Sequence, residues 1–467
     1  MRSPRRALAT AAVAVALGAA LAAPAGAATG VDTGVQDASG GAGQAQTEQT
    51  LAVDPTAPDN VLVGYISGLS ASHDGGRTWK RTPVTCGGDN NPTWDRAGVA
   101  YFECDVNGVE YYRSDDKGET WTGPLSAVGF FENSGDLVDR PWLVHGTGTR
   151  SLVVGWESFF TNPVGWVYLK TSSDGGATWS APRRVDDQAD HPAMQDPRQL
   201  PVVGADGTIY VVYASGHGPF LDCRNCGTLP TDYVVARSSD GGATFHWSVA
   251  AANIARTDSP TEESEAISSL VADPAPERAQ HLALAWSDER SGESRILVET
   301  SVDGGVTWTS PVDVADDPPG HGIGHDHPQL AFAPDGRLVV VWRDHRCCGT
   351  GWSTAYQLFA RSLLVGADGR LVPGDTVQVT DGPQQPNSSS SADEYLGMSV
   401  GPEGLSVAWT QPRSGAASTT YRRLPVPGAS TVDPPADLPE GQPWQLGALG
   451  LLAVGAVARH RRRARSA

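Results

Sequence analysis

Short apolar runs bounded by polar turns recur along the whole chain. One series ends in an aromatic or small residue: NVLVGY at 60–65, VAYFEC at 99–104, SLVVGW at 151–156, TIYVVY at 208–213, HLALAW at 281–286, RLVVVW at 337–342 and LSVAW at 405–409. These runs have the length and the β-branched, aromatic composition of strands. Turn signals such as PDN, ADG and PDG precede most of them. Ahead of most of those turns stands another short run: TLAVD at 50–54, PWLVH at 141–145, SSLVAD at 268–273, PQLAFA at 328–333 and LGMSVG at 396–401. No long helical period lies between the two terminal segments, so the pattern predicts an all-β protein.

A polar octet punctuates the same rhythm. It reads SHDGGRTW at 72–79, SDDKGETW at 114–121, SSDGGATW at 172–179, SSDGGATF at 238–245 and SVDGGVTW at 301–308. Each unit then reads strand, turn, strand, loop, strand, octet, strand, which is a four-stranded antiparallel sheet. Units of about 40–70 residues repeated along a chain signal a β-propeller. Seven second strands predict seven blades; long, irregular spacings between some of them leave six as the alternative. The octet falls at the turn between strands three and four. Its glycines supply positive φ, its aspartate accepts backbone N–H bonds across the turn, and its tryptophan buries a ring against a neighbour.

The spacing Ser-x-Asp-x-Gly-x-Thr-Trp resembles the Asp-box, or bacterial neuraminidase repeat, of the sialidase-like propellers, and the resemblance covers residues 47–424. It implies the propeller fold, and it implies that the box aspartates hold turns and do not do chemistry. It also implies a candidate activity. Sialidases clamp a substrate carboxylate with arginines, pair a tyrosine nucleophile with a glutamate and use an aspartate as acid/base.

Antiparallel alternation puts the start of strand one and the end of strand two of every blade on one face, opposite the octets. The residues there are ionic: Asp139-Arg140-Pro141-Trp142, Asp196-Pro197-Arg198, Glu262-Glu263-Ser264-Glu265, His325-Asp326-His327 and Asp393-Glu394-Tyr395 before first strands, and Glu157, Asp288-Glu289-Arg290, Arg343-Asp344-His345-Arg346 and Arg413 after second strands. With the resemblance, this set nominates Glu265, Tyr395 and Asp139 as catalytic residues, and Arg140, Arg198, Arg290, Arg343 and Arg346 as ligand-binding ones. Ahead of the first octet the chain reads VGYISGLSA at 63–71, without the arginine motif of the family. Two classes of function therefore stand: a glycoside hydrolase of exo-sialidase type, and a non-catalytic propeller that binds glycan or protein at the same mouth. Neither calls for a cofactor. HGIGHDH at 321–327 offers histidines, but ligand types alone do not define a metal centre, and no metal is assigned.

The net charge of −19 disfavours nucleic acid as a partner. The start of the chain, with Arg2, Arg5 and Arg6 ahead of an apolar stretch and Ala25-Gly26-Ala27, reads as a signal peptide over 1–27. Residues 28–46 read as an N-terminal extension and 425–443 as a proline-rich linker. Residues 444–467 combine a short apolar run with an arginine cluster, as in a hydrophobic anchor or sorting tail. The expectation is a secreted monomer held at the cell surface, associated with membrane or wall and meeting an extracellular glycan or glycoprotein. Six cysteines fit that compartment. Cys86 and Cys104 are expected to bond, while Cys223, Cys226, Cys347 and Cys348 close locally or cross-pair.

Overall fold

A computed structural model of the chain describes residues 32–39, 46–106, 108–129, 137–159, 166–193, 200–216, 231–255, 268–348, 355–385, 395–413 and 416–428. They form seven four-stranded antiparallel sheets arranged as a seven-bladed β-propeller. The helical turn among the described residues is a 3₁₀ turn at Pro276–Arg278, and no helix there is long and apolar enough to cross a membrane. Blades one to six each use four consecutive strands, the first strands being Thr50–Val53, Asn90–Trp94, Leu137–His145, Leu200–Val203, Ser268–Ala272 and His325–Phe332.

The seventh blade closes the ring. Three of its strands, Gly397–Gly401, Gly404–Arg413 and Ala416–Leu424, come from the end of the propeller sequence. Its outermost strand is Gln36–Asp37, paired with Tyr421 and Thr420. The stretch read as an extension, 28–46, therefore contributes a strand to the last blade. Two glutamines finish the join: Gln46 Oε1 accepts from the Thr419 amide at 3.0 Å, and Gln49 bonds both Thr410 and Thr419.

The reason the second strands are so apolar is visible in the packing. Val61–Tyr65, Leu282–Asp288 and Leu338–Asp344 are buried along their whole length, because a blade lies against each face. One hydrophobic layer fills each of the seven gaps between neighbouring blades. Burial between blades, repeated around the ring, is what stabilises the fold.

The octets fasten these layers. In all five the serine hydroxyl donates to the aspartate and accepts the amide of the glycine four residues on, and the threonine hydroxyl donates to the same aspartate. Gly76, at φ +89°, presses on the Tyr421 ring of the preceding blade; a Cβ there would lie 2.0 Å from it. Trp79 packs edge-on against the same ring at 5.0 Å.

Cys86 and Cys104 are bonded, tying the segment after blade one to the second strand of blade two. Cys347 and Cys348 close locally. Cys223 and Cys226 lie outside the described residues.

Candidate active site

Blades three and six begin alike, with Asp139-Arg140-Pro141 and Asp326-His327-Pro328. In both, the first strand bulges just after the aspartate. Arg140 and His327 take left-handed backbone, φ +46° and +51°. Such a conformation is strained for a side-chain-bearing residue and turns the strand that continues beyond it. The two bulges differ in what faces them. Asp326 stands opposite Arg343, which grips it with both ends of its fork at 2.5 and 2.9 Å. Asp139 stands opposite Glu157, a fully buried carboxylate. Blade six is thus closed by its own cross-strand ion pair, whereas blade three gathers acid.

More acid converges on Asp139 from blade two. Asp89 precedes the first strand and Asp105 ends the second, and the Asp105 amide donates to the Asp89 carbonyl at 3.0 Å. Oxygens of Asp89, Asp105 and Asp139 lie within 4.8 Å of one another. One pair deeper on the same face, Asn91 stands opposite Glu103. Glu103 is fully buried and neither of its carboxyl oxygens has a hydrogen-bond partner. Burial, then the fields of Asp89 and Asp105, push it well above the usual carboxylate range, which favours its neutral form. The same causes, burial first and Asp89 second, push Asp105 up to about 7.

Tyr395 enters this cluster from blade seven, 306 residues away in sequence from its acceptor. Its phenol donates to Asp89 Oδ1 at 2.7 Å and accepts from the Arg140 guanidinium at 3.2 Å. The Trp142 ring lies 6.1 Å from the Tyr395 ring, and Arg140 Nε also approaches Glu157 at 3.6 Å. Blades two, three and seven thus meet over the face opposite the octets. A phenol, one guanidinium and carboxyl groups in two protonation states can support proton transfer and nucleophilic attack. Three aspartates also resemble a cation cluster, but Asp89 Oδ1 there already accepts from the Tyr395 phenol.

Of the nominated residues, the structure brings together Tyr395, Asp139 and Arg140. Arg343 is buried, bonded to Asp326 and stacked 5.0 Å over the Tyr356 ring. Arg290 clasps Asp288, two residues back, and donates to the Ala252 carbonyl at 2.9 Å. Arg346 clasps Asp344 in the same way and reaches Asp316 at 2.6 Å. Trp286 and Trp342 each donate to the clasped aspartate, so Trp-x-Asp-x-Arg is a repeated lock at the end of strand two. Glu265 and Arg198 lie outside the described residues, as does the side chain of Arg413. Asp89, Asp105 and Glu103 were not nominated. The rule that found the others, residues before strand one and after strand two, points at Asp105, directly after VAYFEC, and at Asp89 once blade two's first strand is recognised.

The histidines of blade six serve the lock. Both nitrogens of His325 face acceptors, Ser294 O at 2.9 Å on one side, Asp317 at 2.9 Å and Asp344 at 3.3 Å on the other. Burial opposes its charge, but Asp317 and Asp344 overcome it and raise its pKa to about 9. His325 is therefore an imidazolium.

Residues 165–356 match the BNR repeat-like domain family. Part of the chain is also 32% identical, over 103 residues, to a protein named Sialidase 85-1.1 from Trypanosoma cruzi. Over the matched residues the propeller is BNR-repeat-like, and it resembles the sialidase-like propellers. The Trypanosoma match covers 21% of this chain and 14% of that protein. A xyloglucanase from a Paenibacillus species is 28% identical over 213 residues, 36% of this chain and 19% of the relative. The propeller thus spans less than a fifth of the length of either protein. Among solved structures, the GH93 alpha-L-arabinofuranosidase of Fusarium graminearum superposes with a TM-score of 0.42 at 14% identity, covering 67% of this chain and 92% of that one.

Proposed function

We propose that the propeller is a glycoside hydrolase and that the Tyr395 cluster is its catalytic centre. The observation that carries this reading is the Tyr395 phenol held between an acceptor carboxylate and a donor guanidinium. As the phenol oxygen attacks the anomeric carbon, its proton passes to Asp89 and Arg140 keeps a positive donor on the oxygen. Asp105, held as an acid near neutrality, gives its proton to the departing glycosidic oxygen. It then takes one from the water that releases the sugar from the tyrosine, while Asp89 returns its proton to the departing phenol oxygen. Two displacements return the anomeric configuration of the substrate. Asp139 and Glu157 fix the Arg140 side of the cluster. The sialidase-type pairing of tyrosine with a carboxylate is kept, with Asp89 in the place assigned from sequence to Glu265.

The substrate in this reading is an extracellular glycan, met by a secreted protein retained at the cell surface through its hydrophobic, arginine-bearing tail. The described cluster carries one guanidinium against three aspartates. A substrate screen therefore needs neutral glycosides as well as sialosides.

The test is a panel of fluorogenic aryl glycosides, sialosides included, applied to the wild type, Tyr395→Phe and Asp105→Asn. The expected result is turnover of at least one class, reduced about 1,000-fold or more in Tyr395→Phe with binding retained. No turnover on any member, or full activity in Tyr395→Phe, would remove the catalytic reading.

A further inference from the structure

Away from the mouth, a cavity of about 320 Å³ opens between blades four and five. One wall is the outermost strand of blade four at Val249, Ala250, Ala251 and Ala252. The other is blade five, with Glu299 and Trp308 among the residues that line it. Glu299 is 2% exposed and its Oε1 has no hydrogen-bond partner. The arginine that also lines the cavity, Arg290, has its donors turned to Asp288 and the Ala252 carbonyl.

The equivalent position two blades earlier shows what such a gap takes. Glu299 lies in the third strand of blade five, two residues before the octet serine Ser301; Lys170 lies in the third strand of blade three, two residues before Ser172. Each pairs with the second strand of its own blade, Lys170 opposite Val154 and Glu299 opposite Leu284. Lys170 is 6% exposed, and its ammonium crosses to the outermost strand of blade two, donating to the Ala127 carbonyl at 3.1 Å. In blade five a carboxyl replaces that ammonium, and the facing strand presents backbone of the same kind. Two acceptor surfaces then line the cleft, together with the Trp308 indole, whose Nε1 has no hydrogen-bond partner. Burial, more than the opposing field of Arg290, drives the Glu299 carboxyl well above its usual range, as expected of an acid without a counter-charge.

We infer that the cleft between blades four and five binds a small organic cation bearing a primary ammonium, which occupies the place that Lys170 fills in blade three. The ammonium pairs with Glu299 and donates to the carbonyls of strand His246–Ile254. Its carbon chain lies along Trp308 and the exposed Val306, which is 60% accessible. A buried carboxylate matched by a cation and aromatic carbon is the usual chemistry of amine recognition.

The probe is 1,5-diaminopentane, with 1-pentanol as its uncharged counterpart, titrated into the full-length protein by calorimetry and by NMR of the tryptophan indoles. The expected result is saturable binding of the diamine that shifts the Trp308 indole, no such shift with the alcohol, and at least tenfold weaker binding to Glu299→Gln. Glu299→Lys should lose the diamine altogether and melt at a higher temperature, its own ammonium filling the cleft. Absence of diamine binding by the wild type, equal shifts with the alcohol, or undiminished affinity in Glu299→Gln would overturn the inference. All of these readouts are independent of hydrolysis at the mouth.

Discussion

Gly76 shows how much a single position can carry in this fold. It needs positive φ for the turn and no Cβ for the contact with Tyr421. Gly76→Ala meets both obstacles, and thermal or denaturant unfolding should show a loss of about 2–4 kcal/mol; an unchanged melting temperature would mean that the octet is not a fastener between blades. The octet aspartates work differently, as acceptors for their own turn, which is why five of them are compatible with no catalytic role. At the mouth, a single carboxyl sets the pH behaviour. Asp105 must carry its proton to act as the acid, and burial with Asp89 pushes its pKa up to about 7. The hydrolysis rate is therefore expected to fall as pH rises through about 7. If that limb stays where it is in an Asp105→Asn variant with residual activity, Asp105 is not the acid.

At the scale of the element, the two bulged first strands are the informative pair. Blade six answers its aspartate with Arg343, while blade three answers with Glu157, and this one exchange separates a corner closed by its own ion pair from one that gathers acid. The blade-six network has its own pH signature. His325 has a folded pKa raised to about 9, above its ordinary 6.5, so its stabilising contribution is complete below about 6.5 and is lost as pH rises through about 9. The loss should be on the order of 3 kcal/mol. A plot of melting temperature against pH should fall over that window in the wild type and lie flatter in His325→Asn; parallel curves would show that the imidazolium does not hold the lock. The second strands could be read from sequence because burial on both faces demands unbroken apolar, β-branched runs. Asn90–Trp94 could not, since NNPTW has no strand signature. Its polar side chains are taken up by neighbouring blades, Asn90 bonding Glu48 O at 3.2 Å and Thr50 at 2.7 Å, and Asn91 bonding Leu143 O at 2.8 Å. Missing that strand meant missing Asp89 ahead of it; Asp105 directly follows the VAYFEC run and lay within reach of the rule.

For the whole molecule, ring closure decides what the sequence can reveal. The octets and apolar runs announce a propeller and its blade number locally. The closing strand Gln36–Asp37 is two polar residues whose partners lie at the far end of the chain, and nothing in its composition marks it. The same distance hides the pairing of Tyr395 with Asp89, because the residues of a mouth become neighbours only when blade seven meets blade one. Removing residues 1–39 should lower the melting temperature and open the protein to protease while leaving most strands formed; unaltered melting would mean that the ring is held without its outer strand. Closure also delivers Tyr395 to the cluster, and that delivery underlies the catalytic reading. The most direct measurement is mass spectrometry of the protein quenched in acid during incubation with an activated aryl glycoside. The reading predicts a glycosyl group on Tyr395. Turnover with the label on another side chain, or turnover with no covalent intermediate and inversion of the anomeric centre, would contradict it.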